Sequence, residues 1–322
     1  MDWRSLLILF FAVVFVSGAN RTAAESLFRS NDVICLIGGA NVVGAQEHGY
    51  LETLSRLAFP TLNLRFRSLA HEGDTVFAQP RDYNYPSIAK QLEQTGATFV
   101  LCHFGQNEAL QGINKLSEFV GGYEKLLTQV ADGRRRVALV SPIPFEALDP
   151  PLPDLSLHNG DVRQYALAIR KFADKRGFAF VDLLDAMAAS RIARLTSDGI
   201  HLNASGHWHY DSALAERLGV SLVGSEVQID SVTGVLSRPD WERVRQVVVA
   251  KNRLWFKYSR PTNWAFLGGD RIDQPSSRDH LNSKIRWFPE ELQKFVPLIE
   301  QEETKIGMLA GAGGTHVKGA ER

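Results

Sequence analysis

"DVICLIGGANVVG", residues 32–44, decides how the rest of the chain is read. Its first half is a continuous apolar run of strand length, and two glycines, Gly38 and Gly39, follow it. A run of that kind ending in glycines is a buried strand entering a tight turn. Beyond the turn, "HGYLETLSRLAF" (48–59) carries Leu51, Leu54 and Leu57 at helical spacing. The alternation then recurs. "TLNLRFRSL" (61–69), "ATFVLCHFG" (97–105), "RRVALVSP" (135–142) and "FAFVDLL" (178–184) read as strands. "KLSEFVGGYEKLLTQVA" (115–131), "VRQYALAIRKFADKRG" (162–177) and "SGHWHYDSALAERLG" (205–219) read as helices, the second closed by Gly177 at the left-handed cap position. Five short apolar strands separated by helices predict a parallel sheet covered on both faces, a three-layer α/β/α sandwich. Sites in such folds lie beyond the carboxyl ends of the strands. That singles out Gly38–Asn41, Leu69–Asp74, Gly105–Glu108 and Ser141–Pro144.

The flanks differ in composition. "MDWRS" followed by "LLILFFAVVFV" and "SGA" has the order of a secretory signal peptide, so residues 1–24 are expected to be removed and the protein to be secreted or periplasmic. An uncleaved N-terminal anchor is the alternative, although the apolar run is short for a membrane span. The α/β domain is expected over 25–224 and a helical C-terminal extension over 225–306. The extension holds a long helix at 237–261 and another at 288–306, and a disordered tail is expected at 307–322. Lys+Arg and Asp+Glu are equal at 36 each, which argues against general nucleic-acid binding. The two cysteines, Cys35 and Cys102, each stand three residues before a strand-ending glycine, and so are expected at similar height on adjacent strands. A bridge between neighbouring strands strains disulfide geometry, so both read as buried free thiols.

Several strand-end residues carry chemistry. "DGIHLN" places Asp198 three residues before His201, where a carboxylate can orient an imidazole that acts as general base and acid. "FGQNE" offers the Asn107 amide, and "EGDT" the unobstructed N–H of Gly73, as donors to an oxyanion. A glycine after strand two, G-x-N after strand three and D-x-x-H before the last helix, in that order, resemble the SGNH (GDSL-type) hydrolase family over residues 30–220. The resemblance implies a flavodoxin-like sheet and hydrolysis of a small-molecule or carbohydrate ester without a cofactor or metal. It implies an oxyanion hole from Gly73 and Asn107, and an acid–base pair from Asp198 and His201. It also implies a serine nucleophile in a G-D-S block after strand one, and here the chain departs. Gly38, Gly39 and Ala40 occupy that block, so Ala40 stands where the serine belongs, and a shift by one brings Asn41, which is no better. The segment "GGANVVGAQEHGYLETL" resembles a divergent branch of secreted bacterial SGNH-like proteins with an altered first block. Glu108 replaces the aspartate that usually follows the asparagine.

Three outcomes are open for such a site. Water activated by His201 can attack directly, a serine such as Ser68 or Ser141 can substitute, or a ligand is bound without turnover. His71 and Glu72 are candidates to line the pocket, and the loop "AQPRDYNYPS" (78–87) to cover it. His207 and His209 sit near His201, but i, i+2 spacing does not place two ligands on one helix face, and no H-E-x-x-H or cysteine pair accompanies them. In the extension, Trp255, Tyr258, Arg260, Trp264, His280, Arg286, Trp287 and Phe288 offer groups that stack on sugars or pair with anions. The i, i+3 spacing of Trp255 and Tyr258 also fits a plain packing face.

Overall fold

The computed structural model describes residues 26–190, 192, 194–222 and 227–313. The expected signal peptide lies outside the described residues, as do 223–226, where the domain boundary was expected, and 314–322. The chain runs β1 (Val33–Gly38), α1 (Ala40–His48), α2 (Tyr50–Ala58), β2 (Arg65–Ser68), α3 (Ile88–Thr95), β3 (Phe99–His103), α4 (Gln106–Ala109), α5 (Leu116–Val130), β4 (Arg136–Val140), α6 (Asn159–Arg176), β5 (Ala179–Val181), α7 (Leu184–Ala188) and α8 (Ala204–Arg217). The extension adds α9 (Pro239–Ser259), α10 (Trp264–Leu267), α11 (Trp287–Gln293) and α12 (Phe295–Gly313). All five strands are parallel, in the order β2-β1-β3-β4-β5.

Strand periodicity divides the interior into two layers, because successive side chains leave opposite faces of a sheet. Ile34, Phe66, Phe99, Leu101 and Val140 face α2, α8 and α9 through Tyr50, Leu54, Leu214, Trp241 and Val248. Cys35, Ile37, Val100, Cys102 and Leu139 face α3, α5 and α6 through Leu92, Phe119, Tyr123 and Ile169. Both cysteines are buried free thiols on that second face. Their heights differ, which corrects the sequence reading: Cys35 lies opposite Val100, and Cys102 opposite Ile37. Burial pushes the Cys35 thiol up to about 11, so it stays protonated at neutral pH.

The extension shares the first layer. Trp241, Val244 and Val248 of α9 and Ile306 of α12 are buried in it. The chain beyond 306 departs from the expected disordered tail. α12 continues through Gly313, with Ala310 fully buried. Its small residues Gly307 and Ala310, which read as tail composition, allow close approach, and Gly307 sits 3.2 Å, at its Cβ position, from the Arg56 guanidinium. No helix among the described residues is long and apolar enough to cross a membrane.

The sheet order places the site. β1 is flanked by β2 and β3, and the chain leaves β1 toward β2 but leaves β3 toward β4 on the other side, so a crevice opens beyond the carboxyl ends of β1 and β3. Those ends are level: Gly38 pairs with His103, and His103 with Val140. Gly38 has no room for a side chain, since a Cβ would lie 2.6 Å from the His103 carbonyl and 2.7 Å from Val42. The chain therefore turns tightly from β1 into α1, and Ala40 becomes the first residue of that helix.

Candidate functional site

A cavity of about 30 Å³ opens at this crevice, bordered by Gly39, Ala40 and Asn41 after β1, His103 to Glu108 after β3, Asp74 after β2, and Ile200. That volume holds one or two waters, since a water needs roughly 10–15 Å³ of such space. Four separate segments therefore meet around Ala40. Two of the others converge on Gly39, whose Cβ position lies 3.6 Å from Asn107 Nδ2, 3.4 Å from the Asp74 carbonyl and 3.7 Å from the Glu72 carbonyl. Gly73 sits between those two carbonyls in an exposed turn, and Asn107 is exposed at the start of α4.

Two carboxylates hold these donor loops. Glu108 accepts from the Val76 N–H at 2.9 Å and the Gly105 N–H at 2.8 Å, tying the loop after β2 to the loop after β3. Asp74 accepts from both terminal nitrogens of Arg81, at 2.6 and 2.8 Å, and from the His71 N–H at 3.2 Å. The glutamate in place of the usual aspartate is thus a strut between the two expected oxyanion loops.

Asp198 and His201, the expected acid–base pair, lie within hydrogen-bond distance. His201 Nδ1 lies 2.6 Å from Asp198 Oδ2, and the His201 and Ile200 N–H groups donate to Asp198 Oδ1 at 2.8 and 3.0 Å. Partial burial works to raise the Asp198 carboxyl, but the His201 ring and these N–H groups outweigh it and hold the group at about 2. Asp198 is therefore an anion that only accepts, so Nδ1 carries the proton and Nε2 remains the basic nitrogen. The His201 side chain is half exposed. It stands beside the cavity rather than in its wall, which Ile200 forms.

Asn41 fixes that loop to the helix carrying Ala40. Its Nδ2 donates to the Ile200 carbonyl at 3.0 Å and to Gln106 Oε1 at 3.1 Å, and its Oδ1 accepts from the Leu202 N–H at 2.9 Å. The residues on either side of His201 are thus clamped by the side chain next to Ala40. The accepted Leu202 N–H also fixes which end of the amide is oxygen. Gln106 Nε2 is buried at the cavity with no partner among the described residues, a donor left for a ligand or water. Sequence reasoning weighed Asn41 only as a nucleophile and passed over Gln106. Their pairing joins positions 65 residues apart and leaves no local pattern to find.

The other candidates fall elsewhere. Ser141 is fully buried, its Oγ accepting from the Leu183 and Leu184 N–H groups at 2.8 and 3.1 Å. Ser68 is also buried and faces a different cavity with Glu52 and Asp211. Neither serine borders the cavity at Ala40. His71 and the 78–87 loop border a separate cavity of about 410 Å³, together with Arg260 of the extension. Glu72 pairs with Arg260 at 2.7 Å. His209 Nε2 contacts the Ala186 carbonyl at 3.1 Å, whereas His207 turns inward to His48, with ring centroids 4.6 Å apart. In the extension, Trp255 is buried with its Nε1 donating to the Ser68 carbonyl, Arg286 binds the carbonyls of Phe266 and Leu267, and Phe288 packs on Phe266. Trp287 and His280 stay exposed.

Burial holds His207 down to about 3 and His103 to about 4, so both are neutral in the fold at pH 7. An unfolded chain binds protons on these rings below about 6.5, and the folded chain refuses them until pH 3–4. Stability contributed by this difference is whole above pH 6.5 and is lost as the pH falls toward 4, at up to ~1.4 kcal/mol per pH unit for each ring. The buried Asp211 carboxyl, raised to about 8, binds a proton in the fold and works the other way over the same window. The urea midpoint should therefore fall more steeply from pH 6.5 to 4.5 in this protein than in His207→Gln, and equal slopes in the two would contradict the buried neutral ring.

Comparison with known proteins places this geometry. A family model described as GDSL-like lipase/acylhydrolase matches residues 32–209. Among solved structures, a gut microbial diltiazem-metabolizing enzyme aligns with 90% of this chain and 96% of its own at 11% identity, with a TM-score of 0.58. That coverage takes in helices of the extension as well as the sandwich. An α/β hydrolase enzyme from the metagenome of Lake Arreo, Spain, is 20% identical over 60% of this chain and 97% of its own, with a TM-score of 0.46. An acetylxylan esterase from Geobacillus stearothermophilus is 17% identical over 62% of this chain and 99% of its own, with a TM-score of 0.45. No curated protein matches the sequence. At such identities the structural likeness is one of fold, and it is the match across 32–209, more than half of the chain, that establishes kinship: the protein belongs to the GDSL-like lipase/acylhydrolase family.

Proposed function

We propose that the protein is an esterase-type hydrolase in which water takes the place of the serine hydroxyl at Ala40, acting on an ester of a small molecule or carbohydrate. The observation that carries this reading is the assembled His201–Asp198 pair, clamped through Asn41 to the segment bearing Ala40. Beside it are a water-sized cavity and the Gly73 and Asn107 donors. In the proposed step, His201 Nε2 takes a proton from a water held by the cavity, and the water oxygen bonds to the ester carbonyl carbon. The carbonyl oxygen becomes an oxyanion, which accepts from Asn107 Nδ2, the Gly73 N–H and the N-terminus of α1. As the intermediate collapses, the bond to the alcohol oxygen breaks and His201 returns the proton to it, leaving a carboxylic acid and an alcohol.

The rate should be modest. Removing the serine of a triad leaves about 10³–10⁴-fold over uncatalysed hydrolysis, supplied by the oxyanion hole and binding. Purified protein assayed on aryl and sugar acetates should show slow turnover, and His201→Ala and Asn107→Ala should each lower kcat/KM by roughly 10²-fold or more. Equal activity in the parent and both variants sinks this assignment of roles. Ala40 itself favours a second reading, a binding protein that reuses the cleft. Tight binding of an ester with no turnover at any pH, and no effect of His201→Ala, would select it.

A further inference from the structure

Beyond the cleft, the extension and the loop after β2 enclose a much larger cavity of about 540 Å³ that the proposed chemistry leaves unused. We infer that this cavity binds a neutral carbohydrate chain, whose acylated unit reaches Ala40. Only the placing of the acyl group rests on the hydrolase reading.

Four rings, Tyr85, Trp255, Tyr258 and Trp264, border the cavity. They cluster as two pairs, with Trp255 and Tyr258 centroids 5.6 Å apart and Tyr85 and Trp264 centroids 4.7 Å apart. The cluster is locked in place: Trp264 Nε1 donates to the Tyr83 carbonyl at 2.8 Å, and the Tyr85 hydroxyl donates to the Ser259 carbonyl. Rigid aromatic faces suit the C–H faces of sugar rings. The amide of Gln94 borders the same space and offers both donors and acceptors, as hydroxyl pairs require, whereas Gln91 Nε2 already donates to the Pro86 carbonyl at 2.8 Å. The guanidinium groups are already matched. Arg67 pairs with Glu303 at 2.6 Å, Arg65 with Glu300 at 3.1 Å, Arg81 with Asp74 at 2.6 Å and Arg260 with Glu72 at 2.7 Å. A wall whose cations are paired selects a neutral ligand over a polyanion. Leu69, Leu292, Val296 and Ile299 border the same space, so an acyl chain is the competing occupant, at the cost of desolvating the amides and ion pairs.

The route to Ala40 runs along the loop after β2. Tyr85 and Pro261 border both the 540 Å³ cavity and the 410 Å³ cavity. His71 and Arg81 border the latter, and Arg81 grips Asp74, which borders the Ala40 cavity. Each space thus adjoins the next through a shared or bonded residue.

The test uses the full chain and unacylated hexasaccharides of the cello, xylo, malto and chito series, titrated by calorimetry and by tryptophan fluorescence. At least one series should bind, and Tyr258→Ala and Gln94→Ala should each weaken it about three- to tenfold, the scale of one lost aromatic or polar contact. Unchanged urea midpoints in these two variants show that folding is intact. Binding of none of the four series, equal affinity in the parent and both variants, or occupation of the cavity by decanoate in preference to sugar each overturns the inference. Because these probes carry no ester, absent turnover does not touch the result. Conversely, aryl acetate turnover without sugar binding removes the sugar site and leaves the hydrolase reading standing.

Discussion

Ala40→Ser should raise aryl acetate turnover by roughly 10²–10⁴-fold, the span between a site with and without its serine. Residue 40 is the first of α1, so its side chain leaves the helix N-terminus, where the free N–H groups and the dipole favour an oxyanion. The parent already has a Cβ there, and the added hydroxyl replaces one of the waters the 30 Å³ cavity can hold. His201 is held by Asp198 on one side and, through its neighbours Ile200 and Leu202, by Asn41 on the other. Its Nε2 is the nitrogen left to accept the proton of a serine at position 40. A gain of 10³ corresponds to about 4 kcal/mol of transition-state stabilisation. The covalent route also leaves a separate mark: Ala40→Ser should be labelled once per chain by a fluorophosphonate, and the parent should not. If the variant neither speeds up nor takes the label, His201 is not aligned with position 40.

What the sequence disclosed of this arrangement follows from the range of the interactions. Four strands were readable because each is a short apolar run covered on both faces, β2 by its alternation, and α8 is set locally by Asn203, which accepts from the Gly206 N–H at 2.9 Å. Asp198 and His201 were readable because their bond spans three residues. α1 was missed because "ANVVGAQEH" buries Asn41, Val42 and Val43 consecutively and shows no amphipathic period. β2 was read too long. Asn63 takes a left-handed φ of 51°, which ends the turn before Arg65 and leaves only Arg65–Ser68 as strand. The two halves of "FPEELQKFVPLIEQEETKI" form α11 and α12 rather than one helix. The Asn41 clamp, the Glu108 strut and the cavity under the extension all join residues far apart in the chain. Composition and spacing carry no trace of such contacts.

The largest loss of stability should come from Lys251, where α9 meets the sandwich. Its ammonium is fully buried, donating to Glu52 Oε2 at 2.7 Å and to the Phe66 carbonyl at 3.1 Å. Nearby, Arg67 donates to Glu303 Oε1 at 2.6 Å and Arg56 to the Leu64 carbonyl at 2.5 Å, so α2, β2, α9 and α12 meet in one buried charge cluster. Burial raises the Glu52 carboxyl, and Lys251 opposes that rise. Lys251→Met keeps the length of the side chain but strands Glu52, a change that costs roughly 3–5 kcal/mol when one partner of a buried pair is removed. The stranded carboxyl can escape part of this by taking up a proton. Its folded pKa then lies still further above the unfolded value, so the penalty grows as pH rises through that interval and is smaller at pH 5 than at pH 8. Lys251→Met with Glu52→Leu should recover most of the loss, because a buried pair replaced by apolar groups of similar volume is often neutral. Urea midpoints at the two pH values decide the matter. A loss below about 1 kcal/mol, equal at both, would mean that the charge of Lys251 contributes no more than an exposed pair does.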